Sequence, residues 1–429
     1  MTRDHVLAQI DRWGTVLLIY LLPWQARWIF VSGSLAGAPS EFQTVSIAAI
    51  EVLIVAMVVV RLLQHPVLQH RVLSETSSRS KRVAMTFAVL VGLAFVSLLI
   101  AGDRIAATFG ALHLLEGLAV LWLVLTASRP REVRIGFVVS LCVQAAIGIV
   151  QVLLQRIYPS TLLGVAAHFP EVPGTSVVEA GGMRFLRAYG TFPHPNILGG
   201  ALALGILLMH PLPSRGEGWG EGWSVRTVST LAITALLTVG LFFTFSRIAW
   251  IALAVGLVFQ LVQKSHVRDK SAHAGIVIIV VVFAILAALF APLLRARVSA
   301  TGRLETKSIT TRLASFRDAQ ALFVLHPLTG VGLSNFTYAL SNEIDPTRSG
   351  YDLEPAHSAP LVALAEIGLF GFGVFILLLF YCFKDAFKAD EIGVASALII
   401  LALGDHWVWT TLGGILIFWA AWGVALRKS

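Results

Sequence analysis

Between Leu294 and Ser358 the chain carries one long polar stretch. Arg295 and Arg297 open it, Arg303, Lys307, Arg312 and Arg317 follow, and it closes on Pro355-Ala356-His357-Ser358-Ala359-Pro360 as an apolar run begins. A planar guanidinium pairs with two phosphate oxygens at once. An imidazole can take a proton near neutral pH. Together these residue types point to chemistry on a phosphate-bearing substrate. His357 is the sharpest single residue. Ser358 suits the N-cap of the following helix and Pro360 its first turn, so the imidazole sits at the positive end of a helix dipole. That end disfavours imidazolium and favours the neutral ring a general base needs. Glu354 is placed to orient the ring. The bland reading of a lone histidine at a membrane boundary is an interfacial residue. Glu366 lies nine residues on, about 13 Å along a helix, and reads equally as an interhelical hydrogen-bonding group or as part of the site. Asp405-His406 is a second acid–histidine pair, followed by Trp407 and Trp409, which fit an interfacial aromatic belt.

Two further arginines stand out. Arg184 and Arg187 precede Tyr189-Gly190-Thr191-Phe192-Pro193-His194-Pro195-Asn196, where glycine and prolines prevent a helix and Asn196 suits the N-cap of the next one. This is a rigid re-entry turn, or a turn that fixes Arg187 toward a site. Ser246-Arg247 interrupts an apolar hairpin without glycine or proline. Arg247 either snorkels to the surface or pairs with a lipid-borne phosphate. In the long loop, Leu313, Phe316, Gln320, Phe323 and Val324 recur at helical spacing after N-cap candidates Ser308 to Thr311, and His326-Pro327 ends the segment. This predicts an amphipathic surface helix. Arg312 and Arg317, five apart, diverge by about 140°, so at most one touches a given phosphate. Gly330-Val331-Gly332 reads as a turn. His113 and Glu116 read as a buried polar contact.

The elements that must position these groups follow from composition. Of 429 residues, 57% are hydrophobic and 13% charged, against roughly 25% charged in a soluble domain. This predicts an all-α polytopic membrane protein, a single integral membrane domain over 1–429. Apolar runs at 13–31, 43–64, 83–101, 105–127, 134–155, 194–210, 227–245, 248–264, 274–294, 358–383, 391–405 and 406–425 predict about twelve transmembrane helices. The stretch from 227 is divided at Ser246-Arg247 because an arginine in mid-span costs roughly 3 kcal/mol; the stretch after Glu391 is divided at Asp405-His406. With the N-terminus cytoplasmic, inner loops and tails hold 18 Lys and Arg and outer loops 12, with Arg27 and Arg61 inside spans. Seven of the outer twelve come from the 295–357 loop, which is long enough to loosen the positive-inside rule. That loop is therefore expected to face outward. The net charge of +8 reflects these loops and forms no aromatic-interleaved patch, so no nucleic acid is expected as a partner. Cys142 and Cys382 both lie in apolar runs and offer neither a disulfide framework nor a zinc site. The first run carries Arg27 and lacks a small-residue cleavage site, which argues against a signal peptide. Pro213–Ser224 reads as a flexible cytoplasmic connection.

In order, the chain presents Arg187-x-x-Gly-Thr-Phe-x-x-Pro-Asn196, Ser246-Arg247, Arg312-x-x-x-x-Arg317, His326-Pro-Leu-x-Gly-Val-Gly332 and His357-Ser-x-x-Leu361-x-x-Leu-Ala-Glu366-x-Gly368. This ordered set resembles the O-antigen ligase and O-antigen polymerase superfamily of bacterial envelope glycosyltransferases. The resemblance implies a multi-pass protein of the bacterial inner membrane that takes a glycan from an undecaprenyl-pyrophosphate carrier. It passes that glycan to a hydroxyl of a glycan, lipid or protein acceptor, with no metal ion or other cofactor. It implies that Arg187, Arg247 and either Arg312 or Arg317 bind the pyrophosphate and that His357 activates the acceptor hydroxyl. Glu354, Glu366, Asp405 and His406 would support them. Ser358 departs from the pattern, since relatives often carry Asn after the histidine. The outer loops contain no DxD-like metal site, and attack opposite the leaving group would invert the anomeric centre. The alternative class is a twelve-span secondary transporter, which would place charged groups and broken helices near the midplane.

Overall fold

The computed structural model describes residues 3–64, 78–209, 225–263, 270–299 and 302–427. The loop expected over Pro213–Ser224 lies outside the described residues. The protein is predominantly helical, and each of the twelve apolar runs contains a helix. Arg104–Leu125, Pro130–Leu154 and Ala359–Lys388 are each long and apolar enough to cross a membrane, and a fourth span results if one bent pair is counted together. The remaining apolar helices are shorter, among them Pro195–Met209, Arg247–Gln263 and Leu412–Leu426. Large apolar side chains stand exposed on these helices, including Leu153, Val258, Val280 and Leu369. In an aqueous protein such faces would be an association hazard; against lipid they are the expected surface.

The first run departs from expectation. The helix Arg3–Leu21 ends just before Pro23, which has no N–H to continue the ladder and restricts the residue ahead of it. Arg27–Val31 then forms a strand paired antiparallel with Val45–Ala48. Arg27 is therefore not inside a span; it pairs with Glu41 at the surface. Arg61 does lie on a helix, Ala49–Leu63, and is buried. Its Nε donates to Asp11 at 2.5 Å, and its other nitrogens reach Thr15 and Thr126, so the buried charge is paired.

By internal contacts the described chain groups into two compact units. One comprises 1–133, 308–389 and 399–429; the other comprises 134–307 and 390–398. In the second unit, the hairpin Val177–Ala180 with Met183–Leu186 delivers the chain to Arg187. The expected break at Ser246-Arg247 is present: Val225–Phe243 ends, Phe245 takes φ 47°, and a new helix starts at Arg247.

In the first unit the long helix Ala359–Lys388 is interrupted at Gly368 (φ 59°, ψ −170°). The segment at 327–332 fills the interruption: Val331 donates to the carbonyl of Ala365, Gly332 to that of Glu366, and Leu369 to that of Pro327. A Cβ on Gly330 would lie 2.4 Å from the Glu366 backbone, so glycine is required there. Gly330-Val331-Gly332 is thus more than a turn; it satisfies carbonyls that the helix break releases.

Candidate active site

The arginine cluster belongs to the second unit. Arg187 is 5% exposed. Its Nε donates to the carbonyl of Thr244 at 2.7 Å, and Nη2 donates to Asn196 Oδ1 at 2.7 Å. The carbonyl of Phe243 accepts the N–H of Ala188. The helix break thereby pins the Arg187 segment three residues ahead of Arg247, although 60 positions separate the two arginines in sequence. Asn196 is not the expected N-cap. It lies inside the helix Pro195–Met209 and orients Arg187, while His194 Nδ1 accepts the Asn196 N–H.

Two glutamines that sequence reasoning missed hold the turn after Arg187. Gln151 Oε1 accepts from the N–H groups of Tyr189 and Gly190, and its Nε2 donates to the Gly190 carbonyl. Gln144 Oε1 accepts from Thr191. Both project from the helix Pro130–Leu154. Burial holds the His168 imidazole below its ordinary pKa, so it stacks as a neutral ring on Tyr189, centroids 4.4 Å apart.

Arg247 is 31% exposed and lies 3.3 Å from a carboxylate oxygen of Glu305; its Nη1 donates to the carbonyl of Arg297. Arg297 joins the group. It donates from Nε to the Phe245 carbonyl at 2.9 Å and binds the other oxygen of Glu305. One carboxylate therefore sits between two guanidinium groups beside the helix break. The sequence marked Arg297 only as the start of a polar stretch, because nothing in its local pattern shows that it returns to Phe245.

The histidine cluster belongs to the first unit. Ser358 occupies the N-cap position of Ala359–Lys388 but makes no side-chain capping bond. The carbonyl of Asp405 accepts the Ala359 N–H. This contact brings the 405–406 break against His357. His357 Nδ1 lies 3.5 Å from Asp405 Oδ1, and Nε2 lies 3.8 Å from Glu354. Asp405 is buried, and its Oδ1 also accepts the N–H of His406 at 2.8 Å. The His357 and His406 rings lie 5.4 Å apart. His406 Nδ1 pairs with Thr410 Oγ1 at 2.6 Å. The two acid–histidine motifs, separate in sequence, therefore form one cluster. His357, Asp405 and His406 each offer a ligand-type atom within 4.8 Å of the others, so the group has the geometry for a proton relay and also for a metal ion.

The expected amphipathic helix is Arg303–Leu325. Leu313, Phe316 and Val324 of its apolar stripe are exposed, while Ser315, Asp318, Ala319 and Leu322 pack inward. Arg312 and Arg317 part company. Arg317 is exposed. Arg312 donates weakly to the Gly404 carbonyl at 3.4 Å, and its Nε is buried without a hydrogen-bond partner. Glu366 is 2% exposed and accepts from Trp409 Nε1 at 2.8 Å and from the Phe336 N–H. It ties the helix break to the tryptophan-bearing segment.

The O-antigen ligase family model matches residues 232–376. The match takes in Arg247, Arg297, Glu305, Arg312, Arg317, His357 and Glu366; Arg187, Asp405 and His406 lie beyond it. No curated protein matches the chain.

Proposed function

We propose that this chain, whose residues 232–376 match the O-antigen ligase family, is a bacterial inner-membrane enzyme of the O-antigen ligase and polymerase superfamily and transfers a glycan from an undecaprenyl-pyrophosphate carrier to an acceptor hydroxyl. The observation that carries this reading is the arginine cluster: an anion, Glu305, already lies between Arg247 and Arg297, beside the Thr244 carbonyl that holds Arg187. A pyrophosphate offers the same guanidinium groups more oxygens and more charge. As the bond between the anomeric carbon and the phosphate oxygen breaks, negative charge grows on the departing pyrophosphate. Fixed guanidinium groups stabilise that charge with little reorganisation.

His357 takes the proton of the acceptor hydroxyl while its oxygen attacks the anomeric carbon opposite the leaving group. Configuration inverts, and the proton ends on imidazole. Asp405, on the Nδ1 side, orients the ring and stabilises the imidazolium. Arg312, with an unsatisfied buried Nε, is the loop arginine we assign to an anionic part of the substrate; Arg317 is not. The chain crosses the membrane twelve times with both termini cytoplasmic, and the 295–357 loop faces outward.

Membrane fractions given a lipid-linked glycan should yield transferred product and carrier pyrophosphate. Uptake of labelled solute with no transfer would replace this reading with a transporter. The surface glycans of a deletion strain then fix the acceptor class: free capped lipid core means a ligase, and single repeat units mean a polymerase. An impermeant thiol reagent should label Ser308→Cys in intact spheroplasts; protection there would invert the topology.

A further inference from the structure

His113 and Glu116 lie on one face of the helix Arg104–Leu125, three residues apart. The structure adds a third group: Glu51, in the first turn of the neighbouring helix Ala49–Leu63. Glu51 is 8% exposed. One of its carboxylate oxygens accepts the Ala48 N–H and closes the helix end. The other lies 3.9 Å from His113 Nε2. A carboxylate oxygen of Glu51 lies within 4.8 Å of one of Glu116. Glu116 Oε2 is buried and has no hydrogen-bond partner. Among the described residues, no lysine or arginine pairs with either carboxylate.

Two carboxylates this close in a low-dielectric interior are strongly disfavoured as a doubly charged pair unless a cation lies between them. Either they share a proton or an ion lies between them. The histidine separates these alternatives. At 3.9 Å its Nε2 is too far from Glu51 for a hydrogen bond, yet two bonds of about 2.0–2.2 Å to a common ion span that distance. One ligand atom from each of Glu51, His113 and Glu116 falls within 4.8 Å of the other two. A neutral imidazole and two carboxylates around a divalent ion sum to zero charge, which suits the site's burial.

We propose that Glu51, His113 and Glu116 bind one divalent transition-metal ion of the zinc class, with solvent completing the coordination. The ion ties the two helices together. The site shares no residue with the His357 cluster, and the ion takes no part in glycan transfer.

The test uses the full chain without an affinity tag, in detergent, stripped by a chelator and titrated with Co²⁺ alone. One Co²⁺ per chain should bind with visible ligand-field absorption. His113→Ala and Glu116→Gln should each weaken binding at least about tenfold, while His357→Ala leaves it unchanged. Should either variant fail to fold, His113→Cys decides: a thiolate-to-cobalt charge-transfer band appears only if position 113 ligates the ion. The proposal is overturned by no stoichiometric Co²⁺ in the unaltered chain, which would leave a proton-sharing pair. It is also overturned by binding that depends on His357, or by bound Co²⁺ without the thiolate band.

Discussion

The arginine cluster and the histidine cluster are built in opposite ways. Arg187 is fixed at 2.7 Å by a backbone carbonyl and by Asn196, and Arg297 at 2.9 Å by the Phe245 carbonyl. The two carbonyls belong to the helix break at 244–246 and cannot move without it, and Asn196 is fixed in the helix Pro195–Met209. His357 is held loosely, 3.5 Å from Asp405 and 3.8 Å from Glu354. Its own helix offers no side-chain cap at Ser358. A rigid cluster suits an anion whose charge must be met without reorganisation. A looser imidazole suits a base whose hydrogen bonds tighten once the acceptor hydroxyl is present.

The sharpest way to break this contrast is to remove the base. His357→Ala should lower turnover by about a hundredfold or more and leave donor binding nearly unchanged. An unaltered rate would remove His357 from the chemistry.

Arg187→Lys comes next. A lysine keeps the charge but cannot serve Thr244 and Asn196 with one planar fork. Transfer should fall about tenfold to a hundredfold with normal membrane insertion, read as a rise in donor KM as well as a drop in kcat. Wild-type kinetics in both Arg187→Lys and Arg247→Lys would end the phosphate-clamp reading.

Asp405→Asn should cost less, about tenfold, and the loss should appear in kcat rather than in donor KM. Glu305→Gln should act in the other direction. Removing the anion that Arg247 and Arg297 share should lower donor KM a few-fold, provided the helix Arg303–Leu325 still forms.

The smallest effect concerns His168. Its pKa is depressed by burial. Above the ordinary histidine value of 6.5 both folded and unfolded forms are neutral. As pH falls through that value the unfolded chain takes up the proton first, so stability drops until the folded group titrates as well. Thermal unfolding followed below pH 6.5 should show this loss, and His168→Phe should flatten it.

Part of this was legible in the sequence. The break at Ser246-Arg247 followed from the cost of an arginine in mid-span, and the helix at 303–325 from its spacing. His357 at a helix start could be read from Ser358 and Pro360. What stayed hidden depends on contacts between distant segments. Gln144 and Gln151 look like ordinary polar residues of an apolar helix until the turn at 189–191 folds onto them. Arg297 reads as one of seven basic loop residues until it meets Phe245. Asp405 reads as half of a separate pair until Ala359 bonds to its carbonyl. The strand Arg27–Val31 was hidden because Trp28, Ile29 and Phe30 suit a span as well as a strand. The interruption at Gly368 was masked by a continuous apolar run, which says nothing about the segment that fills the gap.

The proposed division of labour gives the carrier pyrophosphate to the arginines and the acceptor hydroxyl to His357. Equilibrium binding of the lipid-linked donor, measured beside single-turnover transfer for His357→Ala and Arg247→Lys, tests it directly. Wild-type donor binding with about a hundredfold slower transfer is expected for His357→Ala, and weakened donor binding for Arg247→Lys. Lost donor binding in His357→Ala, or full donor binding and transfer in Arg247→Lys, would contradict it.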